Sequence, residues 1–453
     1  MGYPNILHSL STFHNNKAVF VLVCILVVFL IVDTSIIKVY YFSFNQSPIG
    51  WRLVFFVVIS SVYIASLYLM SQFVKQSTQK VRSRKALHFN LLHKMVMISC
   101  YLLTAIIAFV IFQIIITSGY NTVLLTVATW ISYTTAIIMI GVLAQKFFSW
   151  FKSDRNLTVL LYGLSSVMLA INAAFIVTIV TIILRNVPDY VQPHIGVGSP
   201  FFSLGPATDV INYGYVISSV ISFMLWWVAT VSVLRSYSGK SGKRYWFVLS
   251  IPLVYFLIQF QPLFQIIFSS FVASHPVLFS IGYTLVFTLS KPLGGILFGI
   301  SFWAVARKLS SNNVARNYMI ISAYGLVLVF VSNQAAVLVS APYPPFGLAT
   351  TSFMGLSSYL LLVGIYCSAI SVAEDSKLRK TILKLAVGET KFLHSIGTAQ
   401  MEDELQRRVM KTVKEQHEVL IQQTGVEPSL NDAELKQYLS EIIQEIKRSS
   451  IRD

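Results

Sequence analysis

Runs of about 20 apolar residues recur along this 453-residue chain, divided by short segments that carry charge, Pro or Gly. That recurrence constrains the fold most strongly, because an α-helix needs about 20 apolar residues to cross the hydrocarbon core of a bilayer. Ten runs qualify: Ala18 to Tyr40, Leu53 to Phe73, Met95 to Ser118, Thr122 to Ala144, Leu157 to Leu184, Ile211 to Leu234, Tyr245 to Ser270, Val277 to Ala306, Asn317 to Ser340 and Thr351 to Ala373. They predict an all-α fold: a polytopic transmembrane helix bundle of about ten spans over 1–373, followed by a cytoplasmic amphipathic helical tail over 374–453. Lys17 ahead of the first run imitates a secretory signal. No small-x-small cleavage site follows it, so the run is expected to be a retained span.

Charge places the bundle. Only 11% of residues are charged, against about a quarter in soluble domains. The formal net charge of +16 could suggest nucleic acid, but acidic residues are almost confined to the tail. Before Glu374 there is no Glu, and the four Asp are Asp33, Asp154, Asp189 and Asp209. The excess positive charge sits in alternate loops: Lys75 to Lys94 after span two, Lys146 to Arg155 after span four, Arg235 to Arg244 after span six and Arg307 to Arg316 after span eight. Only Lys38, Arg52 and Arg185 fall on the other side. The positive-inside rule therefore puts the N-terminus, the basic loops and the C-terminal tail in the cytoplasm of a cell membrane. The lipid bilayer is the expected partner and nucleic acid is not.

Several chemistries lack their residues. Cys24, Cys100 and Cys367 lie in apolar runs with neither metal-ligand nor disulfide spacing, and read as small hydrophobes. The spans hold one Asp and no Glu, which disfavours a cation pump. They offer no Asp pair, no central His beside a Ser and no HExxH, so no catalytic residue, cofactor or metal ligand is expected, and the chain reads as other than an enzyme. His88 and His93 read as surface groups of the basic segment. The Pro-, Gly- and aromatic-rich connections Arg185 to Val210 and Ala341 to Thr350 are expected outside as caps on helix ends, or as the roof of an outward-facing cavity.

Lys291 is the most unusual residue, near the middle of span eight in Ser290-Lys-Pro-Leu-Gly-Gly295. An ammonium at that depth must face a polar interior, find a partner or lose its proton. Pro292 removes one helical hydrogen bond, and Gly294 and Gly295 allow close approach, so a discontinuous helix is expected; the alternative is a kinked helix whose Lys reaches the interface. Gln259, Gln261 and Gln265 flank Pro262 in span seven, and Ser332, Asn333 and Gln334 fall midway along span nine. Amides at that depth need partners, either as glue between helices or as a ligand site. Lys291, Pro292, Gln259, Gln261, Gln265, Asn333 and Gln334 form the candidate ligand site, with Asp33 of span one as its candidate counter-ion.

After Ala373 the composition turns charged and helix-favouring. Leu378, Ile382 and Leu385 keep helical spacing, as do Met401, Leu405, Val409 and Val413, with Asp403–Arg407 and Glu404–Arg408 four apart. Beyond Gly425 and Pro428 a last helix carries an apolar stripe of Leu435, Tyr438, Leu439, Ile442, Ile443 and Ile446, which a protein partner, self-association or the chain itself must cover.

The stretch Ser371-Val-Ala-Glu-Asp-Ser-Lys-Leu-Arg-Lys380, followed by Ser395-Ile-Gly-Thr-Ala-Gln-Met-Glu402, resembles the membrane-exit segment of uncharacterised multipass membrane proteins from archaea. The match covers about a tenth of the chain. It implies an archaeal cytoplasmic membrane and transfers no functional residue. The leading functional expectation is a sensor or receptor-like protein, with a polar site in spans seven to nine and a tail that docks a partner. The alternatives are a secondary transporter of a neutral or anionic solute, and a structural subunit of a membrane complex.

Overall fold

The computed structural model describes residues 16–39, 49–82, 87–185, 190–191, 206–258, 270, 274–275, 282, 286–310, 313–334, 338, 343–375, 378–379, 382 and 389–424. The helices are α1 Asn16–Val39, α2 Ile49–Arg82, α3 Leu87–Thr117, α4 Thr122–Asp154, α5 Leu157–Arg185, α6 Pro206–Ile258, α7 Ser290–Lys308, α8 Val314–Ser332, α9 Leu348–Ser352, α10 Met354–Glu374 and α11 Glu389–Thr424. Two residues on each side, β1 Tyr120–Asn121 and β2 Tyr190–Val191, pair antiparallel beyond the ends of α3 and α5.

Among the described residues eight helices are long and apolar enough to cross a membrane, and two shorter apolar helices, Val19–Ser35 and Trp246–Ile258, accompany them. Each overlaps one of the ten apolar runs. The protein is an all-α polytopic helix bundle, and its surface is that of a membrane protein. On α3 the large side chains Ile98, Leu102, Phe109, Phe112, Ile115 and Ile116 are all exposed. Water does not tolerate an apolar face of that extent, whereas lipid covers it.

Helix starts follow local chemistry. Asn121 caps α4 by accepting from the Val123 amide at 2.8 Å, and Asn313 caps α8 by accepting from Ala315 at 2.9 Å. α6 is helical throughout its 53 residues, yet it holds two antiparallel arms. Trp227 Nε1 donates to Leu249 O at 2.8 Å, and the Phe223 and Phe256 rings stack at 3.9 Å. A straight helix would separate positions 223 and 256 by about 50 Å. The chain therefore turns back between the arms, in the predicted basic segment between spans six and seven.

Sequence neighbours are also spatial neighbours: α1 to α8 pack side by side in order, and α8 returns to touch α1. Inside this ring runs α10, against α2, α3, α4 and α8. The α9–α10 segment is 83% buried where the α3 span is 33% buried, so the last span is the hub and α3 faces lipid. The space that α10 leaves between α4, α5, α6 and α7 is entered from the basic ends by α11. Thr390, Phe392, Leu393, Ile396, Ala399 and Gln400 of α11 are buried there.

This seating departs from the expected amphipathic tail. Leu378 and Ile382 are buried as their spacing predicts, and Arg407 pairs with Asp403 at 2.7 Å. The stripe beyond Met401 behaves differently, because Leu405 and Val409 are exposed. The buried face lies earlier, in the weakly apolar Lys391-Phe-Leu-His-Ser-Ile-Gly-Thr-Ala-Gln400. Gly397 accounts for part of this, since a Cβ there would stand 2.6 Å from Val372 Cβ. The stripe from Leu435 to Ile446 lies outside the described residues.

Candidate functional site

The expected discontinuity is slight: the span runs as one helix from Val286 to Lys308, Leu289 keeps a helical backbone, and the Leu293 amide bonds back to Leu289 O at 2.9 Å. Pro292 lacks the amide that would have bonded back to Thr288 O, so one rung of the helix is missing beside Lys291. Gly294 lies against the Phe223 ring, and a Cβ on Gly295 would come 2.6 Å from Phe330 Cβ. The glycine pair thus clamps α7 between α6 and α8 and aims Lys291 inward.

The Lys291 ammonium donates to Tyr215 Oη at 3.0 Å and to the Asn333 carbonyl at 3.2 Å, and stands 5.3 Å from the centre of the Tyr215 ring. The carbonyl is available because α8 stops at Ser332, within the predicted ninth span. Asn333, at φ −76° and ψ 57°, turns its backbone out of the helix. The Asn333 side chain donates to Asn172 Oδ1 at 3.2 Å, and Tyr133 Oη lies 3.4 Å from both Asn333 Oδ1 and Ser332 O. Asn172 in turn donates to Tyr215 O at 3.0 Å and Ser218 Oγ at 3.1 Å. Ser332 Oγ and Ser357 Oγ meet at 3.3 Å. Six helices thus meet in one polar network whose amides, Asn172 and Asn333, are buried.

All of these partners are neutral. Among the described residues Lys291 has no carboxylate within ion-pair distance, so its charge is met by dipoles and a ring face. An ammonium has three donors, of which two are spent here. Gln334 Nε2, one residue beyond the unwound point, is buried with no acceptor among the described residues. A half-buried cation with one donor unspent among the described residues favours a ligand that brings negative charge or acceptor oxygens.

Below the network an aromatic column fills the half-ring between α4 and α8. Phe298 and Phe302 repeat the Lys291 face of α7 seven and eleven residues on. Phe330 packs edge to face on Phe298 at 4.9 Å, and Phe298 on Phe223 at 5.1 Å. Trp226 continues to Tyr162 at 5.2 Å, and Tyr162 to Phe302 at 5.4 Å. Phe392 of α11 completes the column, 5.1 Å from Tyr162 and 5.8 Å from Phe302. Polar bonds lock α11 beneath it: Trp150 Nε1 donates to Gln400 Oε1 at 3.1 Å, Ser153 donates to Glu402, and Lys146 stands 3.8 Å from Asp403.

Lys291, Pro292 and Asn333 are therefore brought together, whereas Gln259, Gln261 and Gln265 lie outside the described residues. Asp33 is placed elsewhere. Its carboxylate accepts from Gly347 N at 2.9 Å, Thr350 N at 3.1 Å and Thr350 Oγ1 at 2.8 Å, which makes it the cap of α9 and not a partner of Lys291. The Ala341 to Thr350 connection, expected outside as a cap on helix ends or the roof of a cavity, is buried over 343–350, held in by those bonds. His93, expected at the surface, is also buried, with Nδ1 3.0 Å from Tyr359 Oη.

Sequence reasoning missed Asn172, Tyr215, Tyr133 and Ser218. Asn172 had a signal, as an amide inside an otherwise apolar span. The tyrosines had none, being two of 22. No protein-family model, curated protein or solved structure matches the chain.

Proposed function

We propose that this membrane protein is a sensor: a polar ligand with acceptor oxygens binds at the Lys291–Tyr215–Asn333 network, and α11 carries the response to the cytoplasmic side. The observation that supports this reading is the unbroken aromatic column from Phe330 and Phe298, beside the network, to Phe392 of α11. Packed interiors rearrange between discrete states and do not deform smoothly, so a shift at the top of such a column reaches its foot. The N-terminus, the basic loops and α11 then lie in the cytoplasm. Beyond Leu405, α11 continues as helix for about 28 Å to Thr424, and a partner protein docks on it where Leu405, Arg407, Arg408, Val409, Lys411 and Thr412 are exposed.

The test needs no identified ligand. A spin label at Val409→Cys, in a Cys24→Ser background, reports the mobility of the arm. Lys291→Met withdraws the bonds to Asn333 and Tyr215, and Phe392→Ala empties the foot of the column. Both are expected to loosen α11, and amide exchange over 389–404 should quicken about tenfold or more in Phe392→Ala, because truncating a buried Phe costs about 3–5 kcal/mol. An unchanged label in Lys291→Met would sink the sensor reading.

A second reading, transport of an anionic solute, has one observation in its favour: α8 unwinds at Asn333 beside Lys291, as ion- and solute-coordinating helices do. It requires uptake of the solute into vesicles, abolished by Lys291→Met, with the label on α11 unmoved.

A further inference from the structure

A groove of about 750 Å³ runs between α4 and α5 on the outside of the ring. It belongs neither to the Lys291 network nor to the column. Small residues make it: Gly141 and Ala144 of α4 face Ala170 and Ala174 of α5, and Gly141 and Ala174 are exposed. Its composition is graded along its length. From Ile137 to Ala144 the α4 wall is apolar, and from there Gln145, Ser149 and Lys152 follow on the same helical face towards the basic end.

Two magnitudes select the occupant. From Ile137 to Lys152 the groove is about 22 Å long at 1.5 Å per residue. One leaflet, half the hydrocarbon core plus its headgroup layer, is also about 20–22 Å deep. Charge agrees with the lengths: Lys152 is exposed at the headgroup end and makes no ion pair among the described residues.

We propose that this groove binds one anionic phospholipid of the leaflet at the basic ends of the helices. One acyl chain lies between Gly141 and Ala174, the phosphate rests on the Lys152 ammonium, and Ser149 and Gln145 donate to headgroup oxygens.

The experiment is native mass spectrometry of the full chain in mild detergent, titrated with phosphatidylglycerol and, separately, with phosphatidylcholine of the same chains. Phosphatidylglycerol is expected to bind the wild type more tightly. Lys152→Gln should weaken its first binding step about fivefold, the effect of about 1 kcal/mol per basic side chain at a membrane surface, and leave phosphatidylcholine unchanged. Gly141→Leu fills the groove without disturbing the fold, since a Cβ there meets nothing within 4 Å, and should remove one bound lipid of either kind. The proposal is overturned if Lys152→Gln leaves the phosphatidylglycerol step as it was. It is equally overturned if Gly141→Leu keeps the full lipid count, or if the wild type is a dimer that Gly141→Leu separates.

Discussion

Gly364→Leu is expected to leave almost no folded protein in mild detergent, whereas the same replacement at Gly141 is tolerated. Gly364 lies on the hub helix α10, where a Cβ would stand 2.5 Å from the backbone nitrogen of Ser322 and 2.7 Å from the carbonyl oxygen of Tyr318. About one turn of α8 onwards the relation is reciprocal, because a Cβ on Gly325 would come 2.5 Å from Leu361 N. The two helices therefore touch backbone to backbone, as small residues allow when membrane helices pack by dispersion in the absence of a hydrophobic drive. A leucine has no flexible neighbour to push aside. The helices must separate, and with them every ring helix that α10 organises, at a cost of about 3 kcal/mol or more. At Gly141 nothing lies within 4 Å, so the change should stay within about 0.5 kcal/mol. Fluorescence-detected size exclusion after a temperature ramp measures both. Equal melting of the two variants would show that the α8–α10 crossing is not the centre of stability.

Asp33→Ala is expected to open the buried turn at 343–350 while the rest of the bundle stays folded. The Asp33 carboxylate is the acceptor for two backbone amides and one hydroxyl, and Asp33 and Thr350 are buried. Gly347 supplies no cap of its own. It is the N-cap residue of α9, at φ 87°, a conformation that glycine adopts freely, and it has no side chain to offer. The cap comes instead from a helix more than 300 residues away in the chain. Without it three donors are stranded, each at about 1–3 kcal/mol, for a total near 4 kcal/mol. Hydrogen exchange over residues 343–352 should accelerate at least tenfold in Asp33→Ala, and less in Asp33→Asn, which keeps one acceptor oxygen. Exchange confined to the wild-type rate would mean that water or another group takes over the cap.

These two sites show where sequence reading reached and where it stopped. The polar character of Asp33, Lys291 and Asn333 was legible, because a charge or amide inside an apolar run stands out against its neighbours and must be satisfied. Their partners were not. Asp33 read as a counter-ion for Lys291, since each was an isolated charge of opposite sign; the fold instead satisfies Asp33 with backbone amides and Lys291 with a carbonyl and a phenol. Backbone donors and acceptors are the same at every residue, so no sequence pattern identifies which ones a fold will leave free. The tail shows the same limit. Leu405 and Val409 showed only helical spacing and are exposed, while the buried segment around Phe392, Gly397 and Gln400 looked ordinary because its fit depends on the shape of the opening between α4 and α7.

The sequence by itself determined the solvent, the secondary structure and the number of apolar runs, because length and hydropathy answer directly to the thickness and dielectric of a bilayer. Only the tertiary structure decided that the last span is the hub, that α11 enters the bundle, and that Tyr215, Asn172 and Asn333 gather around Lys291. Those are matters of which helices close the ring and how nearly their backbones approach, and that depends on the mutual fit of glycines and rings from distant parts of the chain.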